Sequence, residues 1–319
     1  LCISGTHGKT TTTSMATHIF MAAEKDPTVM IGGALPLLGS GHRIGKGDTI
    51  IAESCEYCNS FLSFYPTIAV LLNVEADHLD FFEDLSDVER SFRAFAELVP
   101  EGGHVVANFD DDGVRETLHG YHRSLFTFSA YDSSCHCYAH NLVLKHGLPS
   151  FDIMVMGEKY ATVSLKVGGA HNVSNALAAA SAAYLLGIDG KAVSEGLGSF
   201  TGAKRRFEYK GEYNGAKVYD DYAHHPGELH ALLMMARELG YERIVCAFQP
   251  HTYSRTHALM DDFIHELKHA DVVVLAEIYA AREQNDLGIS SKDLAEKIPG
   301  AVYCPTLDRT AETLRSIAR

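Results

Sequence analysis

Gly5-Thr6-His7-Gly8-Lys9-Thr10-Thr11 has the residue types and spacing of a phosphate-holding loop. Glycines let backbone N–H groups curl around phosphate oxygens, and a helix starting inside the loop adds the partial positive charge of its N-terminus. Lys9 can reach the outer phosphates of a nucleotide as a point charge, and the Thr10 hydroxyl can bind Mg2+. The longer spacing G-x-x-x-x-G-K-[ST] would need glycine where the chain has Ile3, so this is a shorter variant, G-x-x-G-K-T. A Gly-rich turn that only caps a helix is the alternative. Lys-Thr directly after Gly at a strand–helix junction argues against it.

Other candidates fall at the ends of predicted strands. Glu53 closes one over 48–52, and Asp77-His78 follow one over 67–74. In a parallel sheet those ends share an edge with the loop after the first strand, so Thr10, Glu53 and His78 can converge on a cation. Hard cations favour carboxylate and hydroxyl oxygens, and imidazole is an uncommon ligand for Mg2+. For Asp77-His78, spacing alone does not separate a ligand pair from a solvated loop. Asn172 can donate to and accept from an adenine edge, although helix capping accounts for it equally. Lys204-Arg205-Arg206 are three consecutive cations at a predicted boundary, where an Arg can swing onto a γ-phosphate. A solvated basic turn is the other reading. Asp220-Asp221-Tyr222-Ala223-His224-His225-Pro226 places two acids and two histidines at the mouth of a second sheet. Gln249–Thr256 closes the next strand, and the planar fork of Arg255 suits a carboxylate, with an ordinary helix-surface role as the alternative.

The elements that must position these groups are of α/β type. Apolar spacing predicts helices over 10–23 and 85–99, and strands over 48–52, 67–74 and 103–107. Strands separated by helices imply a parallel sheet with right-handed crossovers. Short runs at 124–128, 151–155 and 162–167 lack intervening helices and are read as a small antiparallel portion. An Ala-rich helix follows over 172–186. From about residue 207 a Rossmann-like, doubly wound series begins: strands at 217–219, 243–248 and 271–276, and helices at 226–239, 254–268, 291–297 and 309–317. The expected domains are therefore 1–206, P-loop-containing, and 207–319.

The 319 residues are 46% hydrophobic, enough for two α/β cores. Net charge is -14, which repels phosphate backbones, so nucleic acid is not an expected partner, while a local loop can still hold one nucleotide. No run is long enough to span a membrane. Cys55 and Cys58 have C-x-x-C spacing, and Cys135-His136-Cys137 lacks the two-residue interval of a paired zinc knuckle, so scattered thiols are preferred to a zinc site. The chain opens on a short strand tail without Met and stops on a helix. It is therefore read as a fragment from which a terminal strand can also be missing.

Gly5–Thr11, Ala52-Glu53-Ser54-Cys55-Glu56-Tyr57, Asn73-Val74-Glu75-Ala76-Asp77-His78 and His171-Asn172-Val173-Ser174-Asn175 together resemble the central domain of the Mur ligases. The Phe200–Phe207 linker and Asp220–Pro226 resemble later motifs of the same family, so the resemblance covers the chain in order. It implies an ATP- and Mg2+-dependent amide-bond ligase of the cytoplasm, acting in peptidoglycan-precursor synthesis. Its small-molecule substrates would be UDP-N-acetylmuramate and L-alanine, with the UDP end held by an N-terminal domain upstream of this chain. It assigns Thr10 and Glu53 to one Mg2+, with Glu53 and His78 near a second, and Gly5, Thr6, His7, Gly8, Lys9, Thr10 and Thr11 to the phosphates. His171, Asn172, Asn175, Asp221 and Tyr222 go to the nucleotide, and Lys9, Arg206 and His224 to catalysis. In the alanine-adding branch, His251 and Arg255 hold the amino acid. Some relatives have Arg where this chain has Thr252. A recycling ligase that attaches a peptide to the same sugar nucleotide is a close alternative, and a nucleotide-dependent switch is one from another class.

Overall fold

The structure is a computed structural model that describes residues 1–79 and 81–318. It divides into two compact units, Leu1–Lys204 and Arg205–Arg319.

The first unit contains β1 (Cys2–Ser4), α1 (Lys9–Ala22), β2 (Thr28–Leu35), β3 (Ser40–Arg43), β4 (Ile50–Glu53), β5 (Ile68–Leu71), α2 (Leu85–Glu97), β6 (His104–Asn108), α3 (Asp112–Thr117), β7 (Leu125–Ser129), β8 (Cys137–Lys145), β9 (Leu148–Val155), β10 (Glu158–Ser164), α4 (Ala170–Leu185) and α5 (Gly190–Ser199). Its ten strands form one sheet in the order β10-β9-β8-β7-β6-β5-β1-β4-β2-β3. β1 lies between β4 and β5 and is parallel to both. Successive residues of the central strands face opposite sides, as strand geometry requires. Ile3, Val70 and Val106 join a core with Met15 and Ile19 of α1 and Leu177 of α4. Cys2, Ala69, Leu71 and Val105 join another with Phe92 and Phe95 of α2. Six alanines of α4, Ala176, Ala178, Ala179, Ala180, Ala182 and Ala183, are fully buried, so small side chains line this side of the sheet.

Expected strands 124–128, 151–155 and 162–167 form, but the first is not antiparallel. β7 is parallel to β6 and extends the parallel sheet. The antiparallel pairs on this side are β8–β9 and β9–β10. β2, β3, α3, β8 and α5 lie outside the expected elements.

The second unit contains β11 (Glu208–Tyr213), β12 (Ala216–Asp220), α6 (Pro226–Glu238), β13 (Val245–Phe248), α7 (Tyr253–Ala258), α8 (Met260–Leu267), β14 (Val272–Ala276), α9 (Ser291–Ala295), β15 (Val302–Cys304) and α10 (Leu307–Ile317). β13, β14 and β15 make a parallel sheet over a core that includes Leu229, Phe248, Phe263, Leu267 and Leu275. The strand expected at 217–219 does not open this sheet; it pairs antiparallel with β11 in a separate hairpin. The reason is Asn214-Gly215, both at positive φ (50° and 83°), which folds the chain straight back. The single helix expected over 254–268 breaks at Leu259 into α7 and α8. Among the described residues no helix is long and apolar enough to cross a membrane.

Candidate active site

The loop after β1 is pinned by the end of β5. Asn73 accepts from Thr6 N through its carbonyl (3.1 Å) and from His7 N through Oδ1 (2.6 Å), while its Nδ2 donates to His7 O (3.2 Å). Thr6 Oγ1 accepts from Glu75 N at 2.9 Å. Gly8 precedes α1 at φ 83°, the left-handed region that favours glycine. The bond from Thr12 N to Gly8 O is 2.9 Å, so the amides of Lys9, Thr10 and Thr11 belong to the helix turn that has no partners within the helix itself. Such a turn fits an anion by partial charge and donor direction.

Lys9 Nζ lies 2.5 Å from Gly5 O, 3.0 Å from Thr6 O and 3.0 Å from Glu56 Oε2. The Glu56 side chain is only 2% exposed, so this is a buried ion pair. Removing one member would leave the other charge uncompensated. His78 Nε2 lies 3.8 Å from Glu56 Oε1, and its ring packs 4.6 Å from that of Tyr57. Thr10 Oγ1 donates to Glu53 Oε1 at 2.9 Å, and Glu53 Oε2 accepts from Gly32 N of β2 at 2.7 Å. A Cβ at Gly32 would sit 2.8 Å from Glu53 Oε1, so only glycine leaves this carboxylate its place. Lys9, Glu53 and His78 thus follow adjacent parallel strands at one sheet edge, with Thr10 directly on Glu53 and His78 on Glu56.

The first-unit asparagines are used internally. Asn172 and Asn175 are buried. Asn175 Oδ1 accepts from Thr12 Oγ1 (3.1 Å), its Nδ2 donates to Asn172 Oδ1 (3.2 Å), and Asn172 Nδ2 donates to Gly168 O (2.6 Å). These bonds tie α4 to α1 behind the phosphate loop. Gly169, not Asn172, precedes α4, so capping does not explain Asn172. His171, beside them, is exposed.

In the second unit, Asp221 brackets the backbone: its oxygens accept from Phe207 N (2.6 Å) and Ala223 N (2.7 Å). Burial pushes its carboxyl up, and the two N–H groups oppose the shift. Tyr222 has Arg205 4.7 Å and Arg206 5.8 Å over its ring, and Arg206 lies 3.6 Å from Glu228 Oε1. Glu228 Oε2 also accepts from His224 N at 2.9 Å. From Tyr222 a line of rings continues to His224 (5.1 Å), His251 (5.9 Å) and Tyr279 (5.6 Å). Arg255 Nη1 is 3.4 Å from His251 Nδ1. His251 is held below its ordinary range by burial first, then by His224 and Arg255, so near pH 7 its imidazole is neutral. Thr252, at φ 69°, caps α7, and its hydroxyl accepts from Arg255 N at 3.4 Å. Glu283 accepts from Ser254 N at 3.0 Å and Oγ at 2.5 Å. The second unit therefore gathers Arg206, Tyr222, His224, His251 and Arg255 in one strip.

The Mur ligase middle-domain profile matches residues 3–183, and the profile of the Mur ligase glutamate ligase domain matches residues 205–319. The chain belongs to the Mur ligase family. It is 46% identical to the UDP-N-acetylmuramate–L-alanine ligase of Agathobacter rectalis, over 98% of this chain and 69% of that protein. Identity to the ligase of the same name from Clostridium novyi is 45%, over 96% of this chain and 67% of that one. Among solved structures, the UDP-N-acetylmuramate-alanine ligase of Thermotoga maritima superposes with a TM-score of 0.80 at 27% identity, covering 98% of this chain and 68% of that chain. The murein peptide ligase of Psychrobacter arcticus, at 24% identity and a TM-score of 0.72, covers 100% of this chain and 72% of its own, and shares the fold.

Reading this Mur ligase from sequence missed three functional supports. Glu56 stood inside a quoted motif without a role, yet it receives Lys9. Glu228 was passed over, although Glu two residues after Pro226 is a capping-box signal, with His225 as the N-cap. Gly32 carried no signal in its own neighbourhood, because its constraint comes from Glu53, which is remote in sequence. None of the seven cysteines belongs to a group of metal-ligating side chains among the described residues.

Proposed function

We propose that this Mur ligase is the ATP-binding and amino-acid-binding part of an enzyme that joins L-alanine to UDP-N-acetylmuramate, in peptidoglycan-precursor synthesis in the cytoplasm. The observation that carries the reading is the Arg255–His251 pair: a planar cation beside an imidazole kept neutral, at the C-terminal edge of the β13–β15 sheet. It offers two-point binding to a small carboxylate without a second full charge. The names of the 41–46% identical relatives support the same substrate pair.

A carboxylate does not react with an amine in water at a useful rate. Transfer of the ATP γ-phosphoryl group to the muramate carboxylate, with ADP leaving, would give an acyl phosphate; the amine of alanine would then attack its carbonyl carbon, losing a proton as phosphate leaves and the amide forms. The Thr10 hydroxyl and the Glu53 carboxylate form a hard-oxygen pair that would hold Mg2+, and Glu53 and His78 would lie near a second ion. The loop amides of Gly8–Thr11 hold phosphate oxygens, and Lys9 offsets the charge that spreads over the transferring group. Asn172 and Asn175, with exposed His171, bound the nucleotide side. Asp221 and Tyr222 position the linker that carries Arg206. His224 and His251 orient the amine beside Arg255.

The test is phosphate release by the protein carrying this chain, with ATP, Mg2+ and UDP-N-acetylmuramate, plus mass analysis of the product. Release should require L-alanine and yield its amide. Release with a muropeptide amine but not with L-alanine would replace this reading by peptide recycling. Tight Mg-ATP binding with no acyl phosphate trapped by hydroxylamine would replace it by a switch.

A further inference from the structure

Away from the strip in the second unit, two helices present imidazole and carboxylate groups that the ligase reading leaves unused. His230 comes from α6, Glu266 from α8, and His269 stands just past the end of α8. His230 Nδ1 is 2.7 Å from Glu266 Oε2, and His269 Nε2 is 3.5 Å from the same oxygen. The three ligand atoms all lie within 4.8 Å of one another. The two rings cross edge-on at 79° with centroids 5.5 Å apart.

The positions are fixed before any ligand arrives. Leu229 of α6 and Phe263 and Leu267 of α8 share one core, which locks both helices beneath the cluster. His269 N donates to Glu266 O at 3.0 Å, and its carbonyl accepts from Arg237 Nη2 at 3.0 Å. Arg237 is in turn 2.8 Å from Asp271 Oδ1, so α6 holds the His269 carbonyl and the Asp271 side chain on either side of Ala270. The Glu266 side chain is 15% exposed, whereas those of His230 and His269 are 53% and 36% exposed. The anion is turned inward and the imidazoles close over it from the solvent side.

An exposed His–Glu ion pair contributes little to stability, and two imidazoliums on one carboxylate would repel each other. Two neutral imidazole nitrogens and one carboxylate oxygen, in contrast, are the donor set of zinc-class cations and not of Mg2+ or Ca2+. We propose that His230, Glu266 and His269 form a three-ligand site for a zinc-class divalent cation that ties α6 to the end of α8, leaving a further position to water. The ring of His265 lies 6.0 Å from that of His269 and is a further imidazole beside the cluster.

The experiment is a Zn2+ titration of the chelator-stripped protein against a chromophoric competitor. A Cys55→Ser/Cys58→Ser background removes the exposed thiols as rival ligands. One zinc should bind per chain, and the thermal midpoint should rise with it. His230→Gln and Glu266→Gln should each weaken that binding tenfold or more and abolish the thermal response, and Mg2+ in millimolar excess should not displace the metal. Crystals soaked in zinc should show an anomalous peak between the three side chains. Unchanged zinc affinity in a His230→Gln/His269→Gln double variant that keeps the parent's far-UV spectrum, or an anomalous peak only elsewhere, would overturn the site.

Discussion

The loop after β1 and the strip of Arg206, Tyr222, His224, His251 and Arg255 are held by opposite means. The loop sits at the end of a strand flanked by two parallel neighbours and cores on both faces of the sheet. Asn73 fixes it with three hydrogen bonds, and buried Asn175 closes it from behind. The strip rests on ring contacts of 5.1–5.9 Å, on helix-capping groups and on residues held at positive φ, Arg205 and Phe207 beside Arg206 and Thr252 beside His251. Its Tyr222 is exposed. A phosphate chain has one shape, and a preformed cradle suits it. An amine substrate differs between relatives of one fold, and side chains set on short loops can change without disturbing a core.

If the loop is a rigid device, damage there should be severe. Lys9→Ala should cut turnover on the order of 10³-fold. It also strands buried Glu56, at a cost of ~3–5 kcal/mol. Lys9→Ala/Glu56→Gln should therefore regain much of the stability in chemical denaturation but none of the rate. Near-normal turnover in Lys9→Ala would remove the lysine from phosphoryl transfer.

The core behind the loop makes the next largest effect. His18 of α1 is buried against Ser199 and Phe200, and burial holds it at about 4, below the ordinary 6.5. The unfolded chain then binds more protons between these values, so stability is full above pH 6.5 and is lost as pH falls toward 4. Between pH 7 and pH 5 the loss from this group should be about 2 kcal/mol. Denaturant midpoints at the two pH values should show a smaller loss in His18→Gln, and an equal loss would exclude His18 as the source.

Two milder substitutions separate the regions. Gly32→Ala pushes a methyl against Glu53 and should raise the KM for Mg-ATP about tenfold, near 1.4 kcal/mol, leaving the KM for alanine alone. Arg255→Lys trades a fork for a point charge and should raise the alanine KM roughly fivefold, with the ATP KM changed less than about twofold. Reversed effects in initial-rate kinetics would exchange the roles given to the two regions.

Much of this contrast was legible in the sequence. Lys9, Thr10, Glu53 and His78 stand at strand ends because continuous apolar runs announce buried parallel strands, and such ends share an edge. The β11–β12 hairpin was legible too, in Asn214-Gly215, but the alternation of strand and helix around it suggested a parallel element instead. β2 and β3 were illegible for a different reason. β2 spans Thr28–Leu35 with Gly32 and Gly33 inside it and only two buried residues, Val29 and Leu35, so its apolar pattern is broken. The partnership of Lys9 with Glu56 joins residues 47 apart in sequence and has no local signature.

The most direct test of the division of labour is hydroxylamine trapping of the acyl phosphate in a single turnover, with ATP, Mg2+ and UDP-N-acetylmuramate but no alanine. Arg255→Ala should form hydroxamate as the parent does, because Arg255 serves the amine that enters after phosphoryl transfer, while Lys9→Ala should form none above background. Equal loss in both variants, or hydroxamate from Lys9→Ala at the parent's level, would contradict the account.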